Sequence, residues 1–381
     1  MPFSLPSTIV QSLPADGPTR SVGWAPNATD RARRAALGAS GLVPSAATAL
    51  LARPATIADG ARLDPMFQLG DKVIDIFGDQ PLSDETLPGA RKKTVAAAYY
   101  TSGPHIPVDY VCDLSIPVPT TGAATGTNIG ARLYRPTREN TTLPLLVFIH
   151  GGGFGAGTLD SHDVTCRYFA TRGQVAVLSV DYRLAPEFPY PTPLDDCVAA
   201  FRWAREHAEE LRIDPERIAL AGDSAGGNLT AATCLRLRDA GEVGPAFQML
   251  FVPVTTAEAG GGGTDSFTTF ARGPYLTAEH IKYFTGAYLP SDDLIGEPYV
   301  SPLLAEDLSG LPSAHVAVAG FDPLRDQGEA YARRMREAGV RVSLRRHETI
   351  VHPFVNSVGV NAAARSAVDE AIGAMRMGLG V

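Results

Sequence analysis

Cysteine is scarce and scattered. Only four occur in 381 residues, namely Cys112, Cys166, Cys197 and Cys234, and no two are spaced as Cys-x-x-Cys. That excludes an obvious zinc site and a disulfide framework, and leaves each thiol as a small buried apolar side chain. Long apolar runs are missing too: none reaches the ~18 to 20 residues that cross a bilayer, so no membrane span is expected. Positive charge is in deficit, with 33 Lys and Arg against 41 Asp and Glu and a formal net charge of -8. A nucleic-acid partner is therefore excluded on electrostatic grounds. Neither a G-x-G-x-x-G nor a P-loop lysine is present, and no internal repeat is visible.

What is present suffices for one large core, with 45% hydrophobic and 19% charged residues. The first ~60 residues are rich in Ala, Pro, Ser and Gly, with weak periodicity. They read as an arm or loosely helical lid. Within them, Arg31 to Arg34 precede a weakly apolar stretch, as in a twin-arginine export signal. Its distance from the start and Pro44 favour a structural segment and a cytoplasmic chain, with export through residues 31–53 the alternative. DPMFQLGDKVIDIF places Met66, Leu69, Val73 and Phe77 on one helical face. A second helix is expected to begin near Ser83, with Asp84 and Glu85 in its first turn.

From about residue 105, short apolar runs alternate with helical patterns. LPLLVFIH (143–150), VAVLSVDY (175–182), RIALAG (217–222), FQMLFVPV (247–254), AHVAVAG (314–320) and RVSLRR (341–346) read as strands. Over 196–211, Val198, Phe201, Ala204, Ala208 and Leu211 form a helical stripe. The alternation predicts an α/β fold with a mostly parallel sheet flanked by helices. Residues 255–295 break the rhythm. Gly260 to Gly263 suggest a hinge, and Phe267, Phe270, Tyr275, Tyr283, Phe284 and Tyr288 either form a small core or line a pocket.

Two motifs carry chemistry. Gly222-Asp223-Ser224-Ala225-Gly226 is a G-x-S-x-G, weak alone in so glycine-rich a chain. Here a strand leads into it and a helical segment follows, as in a nucleophile elbow that projects Ser224 from the sheet. The helix N-terminus beneath favours developing negative charge. His150-Gly151-Gly152-Gly153-Phe154 follows another strand. The N–H groups of Gly152 and Gly153, with that of Ala225, would make a three-donor oxyanion hole, while His150 props the loop.

With HGGGF and GDSAGG, the segments Asp181-Tyr182-Arg183-Leu184-Ala185-Pro186-Glu187 and Asp322-Pro323-Leu324-Arg325-Asp326 resemble the hormone-sensitive lipase family of microbial esterases. The resemblance runs from about Ile129 to the C-terminus. It implies the α/β-hydrolase fold, with an arm and cap from residues 1–100 and a catalytic domain over 101–381, whose segment 255–295 completes the cap. It also implies hydrolysis of short- to medium-chain carboxylic esters. Chain order in this fold is Ser, acid, His. The family's motif puts the acid at Asp322, leaving Asp326 as a helix charge or loop brace. The base aligns with His352, with His347 the rival. Where the family has His-Gly-Phe this chain has His352-Pro353-Phe354, and proline restricts the loop. The family places the Tyr182–Glu187 segment as a brace beside the oxyanion hole, held by Arg183 with Glu187.

The expected reaction is two-step acyl transfer to Ser224 and then water, with no metal or organic cofactor and a small-molecule ester as partner. The alternatives are a non-catalytic small-molecule receptor on the same fold, or an acyltransferase. If RVSLRR is a sheet edge, two copies could pair through it as a homodimer.

Overall fold

A computed structural model describes residues 2–6, 28, 31, 54–77, 86–118, 127–352 and 354–381. A short hairpin, β1 (Ile57–Ala58) with β2 (Ala61–Arg62), leads into helices α1 (Pro65–Phe77) and α2 (Leu87–Thr101). Then follow β3 (Tyr110–Pro117), β4 (Asn128–Arg135), β5 (Leu143–Ile149), α3 (Asp163–Gly173), β6 (Ala176–Asp181), α4 (Thr192–Glu206) and α5 (Ala208–Leu211). The chain continues through β7 (Ile213–Asp223), α6 (Ala225–Asp239), β8 (Phe247–Phe251), α7 (Asp265–Thr269) and α8 (Ala278–Tyr288). It closes with β9 (Ser313–Phe321), α9 (Arg325–Glu337), β10 (Val342–Val351) and α10 (Ala362–Leu379).

The main sheet has eight strands in the order β10-β9-β8-β7-β5-β6-β4-β3. From β10 to β6 all pairs are parallel, and β4 and β3 are added antiparallel at one edge. A parallel sheet must be covered on both faces, which is why its strands read as unbroken apolar runs. Alternate residues serve two cores. Leu145, Val147, Ile149, Leu178 and Leu220 face Phe201 of α4 and Leu229 of α6. Leu146, Phe148, Val177 and Met249 face Phe169 of α3 and Met375 of α10. Each such side chain contributes about 1.5–3 kcal/mol on burial, and together they make the rigid base that holds the strand ends.

The six strands match the sequence pattern, five of them largely buried and β10 half-exposed at the sheet edge, and the 198–211 stripe is buried. Strands β3 and β4 escape it because charge interrupts them. Arg132 of β4 is paired to Asp113 of β3 at 2.5 Å, and the buried Arg135 donates to the carbonyls of Leu211 and Thr141 at 3.0 and 2.8 Å. Two helix expectations are corrected. α1 buries Phe67 and Gln68, with Met66 and Leu69 only half-buried, so its inward face is turned; the side chains of Val73 and Phe77 lie outside the described residues. α2 starts at Leu87, because Thr86 is extended and a proline sits in the first turn. Ser83, Asp84 and Glu85 lie outside the described residues, as does the 31–53 segment beyond Arg31. Among the described residues no helix is long and apolar enough to cross a membrane.

The four-glycine run has a defined shape. Gly260, Gly261, Gly262 and Gly263 have φ of 68°, 61°, 72° and 77°, one left-handed turn that side chains with a Cβ resist. Ala at buried Gly261 would also strike Phe267. Gly261→Ala should therefore lower stability by about 1–2 kcal/mol, read as a lower Tm in thermal unfolding. Of the aromatics that follow, Tyr283 and Phe284 meet edge to face at 5.3 Å, and others dock on the body. Phe270 packs on Phe321 of β9, and Tyr288 stacks on Phe154 with centroids 3.8 Å apart.

Candidate active site

The turn from β7 into α6 puts Ser224 at φ 56° and ψ -118°, a strained backbone for a residue with a side chain. Its N–H is held by the Phe251 carbonyl at 2.9 Å. The flanking glycines are required by space. A Cβ on Gly222 would strike the carbonyls of Gly226 and Ile149, and one on Gly226 those of Ile149 and His150. The turn thus lies against the end of β5, where the glycine loop begins.

Ser224, His352 and Asp322 come from three strand ends and meet in one hydrogen-bonded chain. His352 Nε2 lies 2.8 Å from Ser224 Oγ, and its Nδ1 lies 2.9 Å from Asp322 Oδ2. Asp322 is wholly buried, and its Oδ1 accepts the Leu324 N–H at 2.9 Å. The turn after His352 is anchored by buried Phe354 and Val355; Pro353 lies outside the described residues. His347 stays in β10 with its ring 6.0 Å from that of Phe354. Asp326 accepts the Ser266 N–H at 2.8 Å and pairs with Arg325 at 2.9 Å, bracing the inserted segment.

Gly152 and Gly153 have φ of 126° and 61°, and the turn is closed by Ala156 N–H donating to the Gly152 carbonyl at 2.8 Å. No backbone carbonyl among the described residues takes the N–H of Gly152, Gly153 or Ala225; that of Ala225 is in the unpaired first turn of α6. Phe284 of α8 rests on Gly153, where a Cβ would strike its ring. His150 props the loop: its Nδ1–H donates to the Gly151 carbonyl at 2.9 Å, and its ring stacks on Tyr182 at 4.3 Å.

Burial, with His162 nearby, pushes the His150 imidazole down to about 3, and burial with His347 nearby pushes His315 of β9 down to about 4. Both rings are neutral in the folded protein. Their contribution to stability is complete above the ordinary histidine value and falls as pH drops below it, because the unfolded chain takes protons the folded one refuses. At pH 5 each lowers stability by about 2 kcal/mol relative to neutral pH. Tm should fall between pH 7 and 5, and less steeply in His315→Gln.

The expected Arg183–Glu187 brace is replaced by two separate pairs. Arg183 grips buried Asp196 of α4, Nη2 to Oδ1 at 2.6 Å and Nε to Oδ2 at 2.9 Å. Glu187 is half-exposed and faces Arg91 of α2, which donates to it from Nη1 and Nη2 at 3.0 and 2.6 Å. Arg91 also donates to the carbonyls of Gly155 and Ala185 at 2.8 and 2.9 Å. It therefore fastens α2 to the glycine loop, a role invisible locally because its partners lie 64 to 96 residues away. Arg91→Ala should lower kcat about 10-fold, if the glycine loop supplies the oxyanion donors, since loosening it costs less than deleting a donor, and should lower Tm. The Arg91 guanidinium holds the Glu187 carboxyl below its ordinary value. This pair's contribution is present above that value and lost as pH falls through the depressed one.

A mostly parallel sheet that presents a strained serine on a strand-to-helix turn, beside a glycine loop, defines an α/β-hydrolase. The family model described as alpha/beta hydrolase fold matches residues 146–356. The carboxylic ester hydrolase LipN of Mycobacterium tuberculosis is 43% identical over 342 residues, 88% of each chain. The ester hydrolase EH1AB1 from the metagenome of Lake Arreo, solved with a bipyridine phosphonate derivative, is 38% identical with a TM-score of 0.76, covering 83% of this chain and 98% of its own. The hyperthermophilic esterase of the archaeon Pyrobaculum calidifontis is 34% identical, also with a TM-score of 0.76, over 83% and 99%. The chain belongs to the α/β-hydrolase fold family, in its hormone-sensitive-lipase-type esterase branch.

Proposed function

We propose that this chain, a carboxylic ester hydrolase by family, works through an acyl-enzyme on Ser224 and favours short- to medium-chain acyl groups. The observation that carries this reading is the chain Ser224–His352–Asp322, with contacts of 2.8 and 2.9 Å. His352 takes the Ser224 proton as Oγ attacks the ester carbonyl, and later returns it to the departing alcohol. Asp322 holds the ring with Nδ1 protonated and stabilises the imidazolium. Gly152, Gly153 and Ala225 donate to the carbonyl oxygen as it becomes anionic. Water then repeats the attack on the acyl-enzyme.

α1, α2 and the inserted α7 and α8 act as the cap over this site, with Phe284 seated on the glycine loop. Such a cover suits soluble esters of limited chain length. Strand β10, an edge of the sheet, pairs two copies in a homodimer; light scattering giving a single 40.2 kDa species at micromolar concentration would reject that pairing.

The direct test is covalent. An activated phosphonate ester should stop turnover with one adduct per chain, which peptide mass spectrometry locates on Ser224. A nitrophenyl acetate should give a nitrophenol burst of one equivalent. An adduct elsewhere, or ligand binding with neither burst nor turnover, would overturn the mechanism and point to a receptor.

A further inference from the structure

Asp223, the residue before Ser224, takes no part in the proton path, yet it is buried where the two reacting loops touch. Its Oδ1 accepts the Gly151 N–H at 2.9 Å, so this carboxylate ties the serine turn to the glycine loop. A Cβ on Gly151 would collide with its Oδ2; only glycine allows the approach. His162, 2% exposed, places Nε2 3.2 Å from Asp223 Oδ1 and 3.4 Å from Oδ2.

The other face of that ring is held as well: His162 Nδ1 is 2.9 Å from Ser161 Oγ, which also hydrogen-bonds the Thr158 carbonyl at 2.8 Å. Asn356 completes the set, with its amide 3.1 Å from Nε2. The other end of that amide meets Thr165 Oγ1 at 3.2 Å. Asn356 lies on the turn that follows His352.

We propose that the His162–Asp223 pair is a positioning device fixing the oxyanion donors relative to Ser224 Oγ. A buried carboxylate is expensive unless its oxygens are hydrogen-bonded, and Asp223 has the Gly151 N–H and the His162 ring. Burial would raise the Asp223 carboxyl, but His162 and the Gly151 N–H outweigh it and hold the group below its ordinary value. Through Gly151 the pair sets where Gly152 and Gly153 point; through Asn356 it reaches the loop of the base. A second histidine–carboxylate pair thus stands beside the first, moving no proton.

The proposal rests on the reading of Gly152, Gly153 and Ala225 as oxyanion donors: a wild type with no Ser224 adduct and no turnover fails that reading, whereas an active wild type whose variants keep full kcat fails the positioning role alone. Asp223→Asn, nearly isosteric, and His162→Gln should each lower kcat about 10- to 100-fold, short of the 10²–10³ for deleting a donor, with KM within about 2-fold. Phosphonylation of Ser224 should slow in parallel. Folded variants with unchanged kcat, or a loss carried by KM instead, overturn the positioning role.

Discussion

Ser224→Ala should lower kcat for a nitrophenyl ester by about 10⁶-fold and abolish both the burst and the phosphonate adduct. The size follows from how the group acts in the proposed mechanism. Without Oγ there is no acyl-enzyme, and His352 and Asp322 have nothing to activate, so removing the nucleophile costs about as much as removing the whole set. What survives is water attack assisted by the glycine loop and binding, roughly 10³–10⁴ over the uncatalysed reaction. The fold should tolerate the change, because the strained turn is fixed by backbone: the Ser224 N–H on the Phe251 carbonyl at 2.9 Å and the close approach at Gly222 and Gly226. An unchanged Tm with lost activity is the expected pair of results. A variant retaining even a hundredth of wild-type kcat would exclude Ser224 as nucleophile.

His352→Ala should produce a loss of similar size, about 10⁶-fold in kcat, and Asp322→Asn about 10⁴-fold. The difference lies in what each contributes in the proposed mechanism. His352 takes the proton itself, 2.8 Å from Oγ. Asp322 acts through the ring, and asparagine in its place would favour the wrong tautomer while keeping the shape. The Leu324 N–H on Oδ1 at 2.9 Å fixes which carboxylate oxygen faces His352, so the asparagine amide is directed at the ring. His347→Gln is the matched control, since its ring lies against Phe354 and outside the chain of hydrogen bonds; its kcat should stay within about 2-fold. Steady-state rates on the four proteins separate the assignments, and comparable losses at His347 and His352 would leave the base undecided between them.

Much of this was legible in the residues. Buried parallel strands have to be apolar at nearly every position, so five of the eight announce themselves, and β10 shows as an alternating pattern half-exposed at the edge. The serine turn announces itself as well, because only glycine at 222 and 226 lets its backbone approach Ile149 and His150. The strands at the β3 edge did not, because Asp113, Arg132 and Arg135 satisfy their charges through partners distant in sequence. The start of α2 was displaced because a proline and an extended Thr86 set it, not the acidic pair before them. The pairing of Arg183 with Asp196, and of Glu187 with Arg91, was equally hidden. Proximity within a motif suggested one ion pair, whereas the fold brought a nearer guanidinium from α2 and a buried carboxylate from α4.

By itself the sequence determined the layer order, the loops at the strand ends, and the candidate serine, acid and base in their order along the chain. Those follow from local rules: periodicity of burial, conformations open only to glycine, and the spacing of strands. The tertiary structure decided which groups touch. It set the 2.8 and 2.9 Å contacts of His352, the fastening of the glycine loop by Arg91, and the meeting of Asp223 with His162. Those depend on strand order and on how helices settle over the sheet. Both arise from the packing of the whole core, which no segment specifies alone.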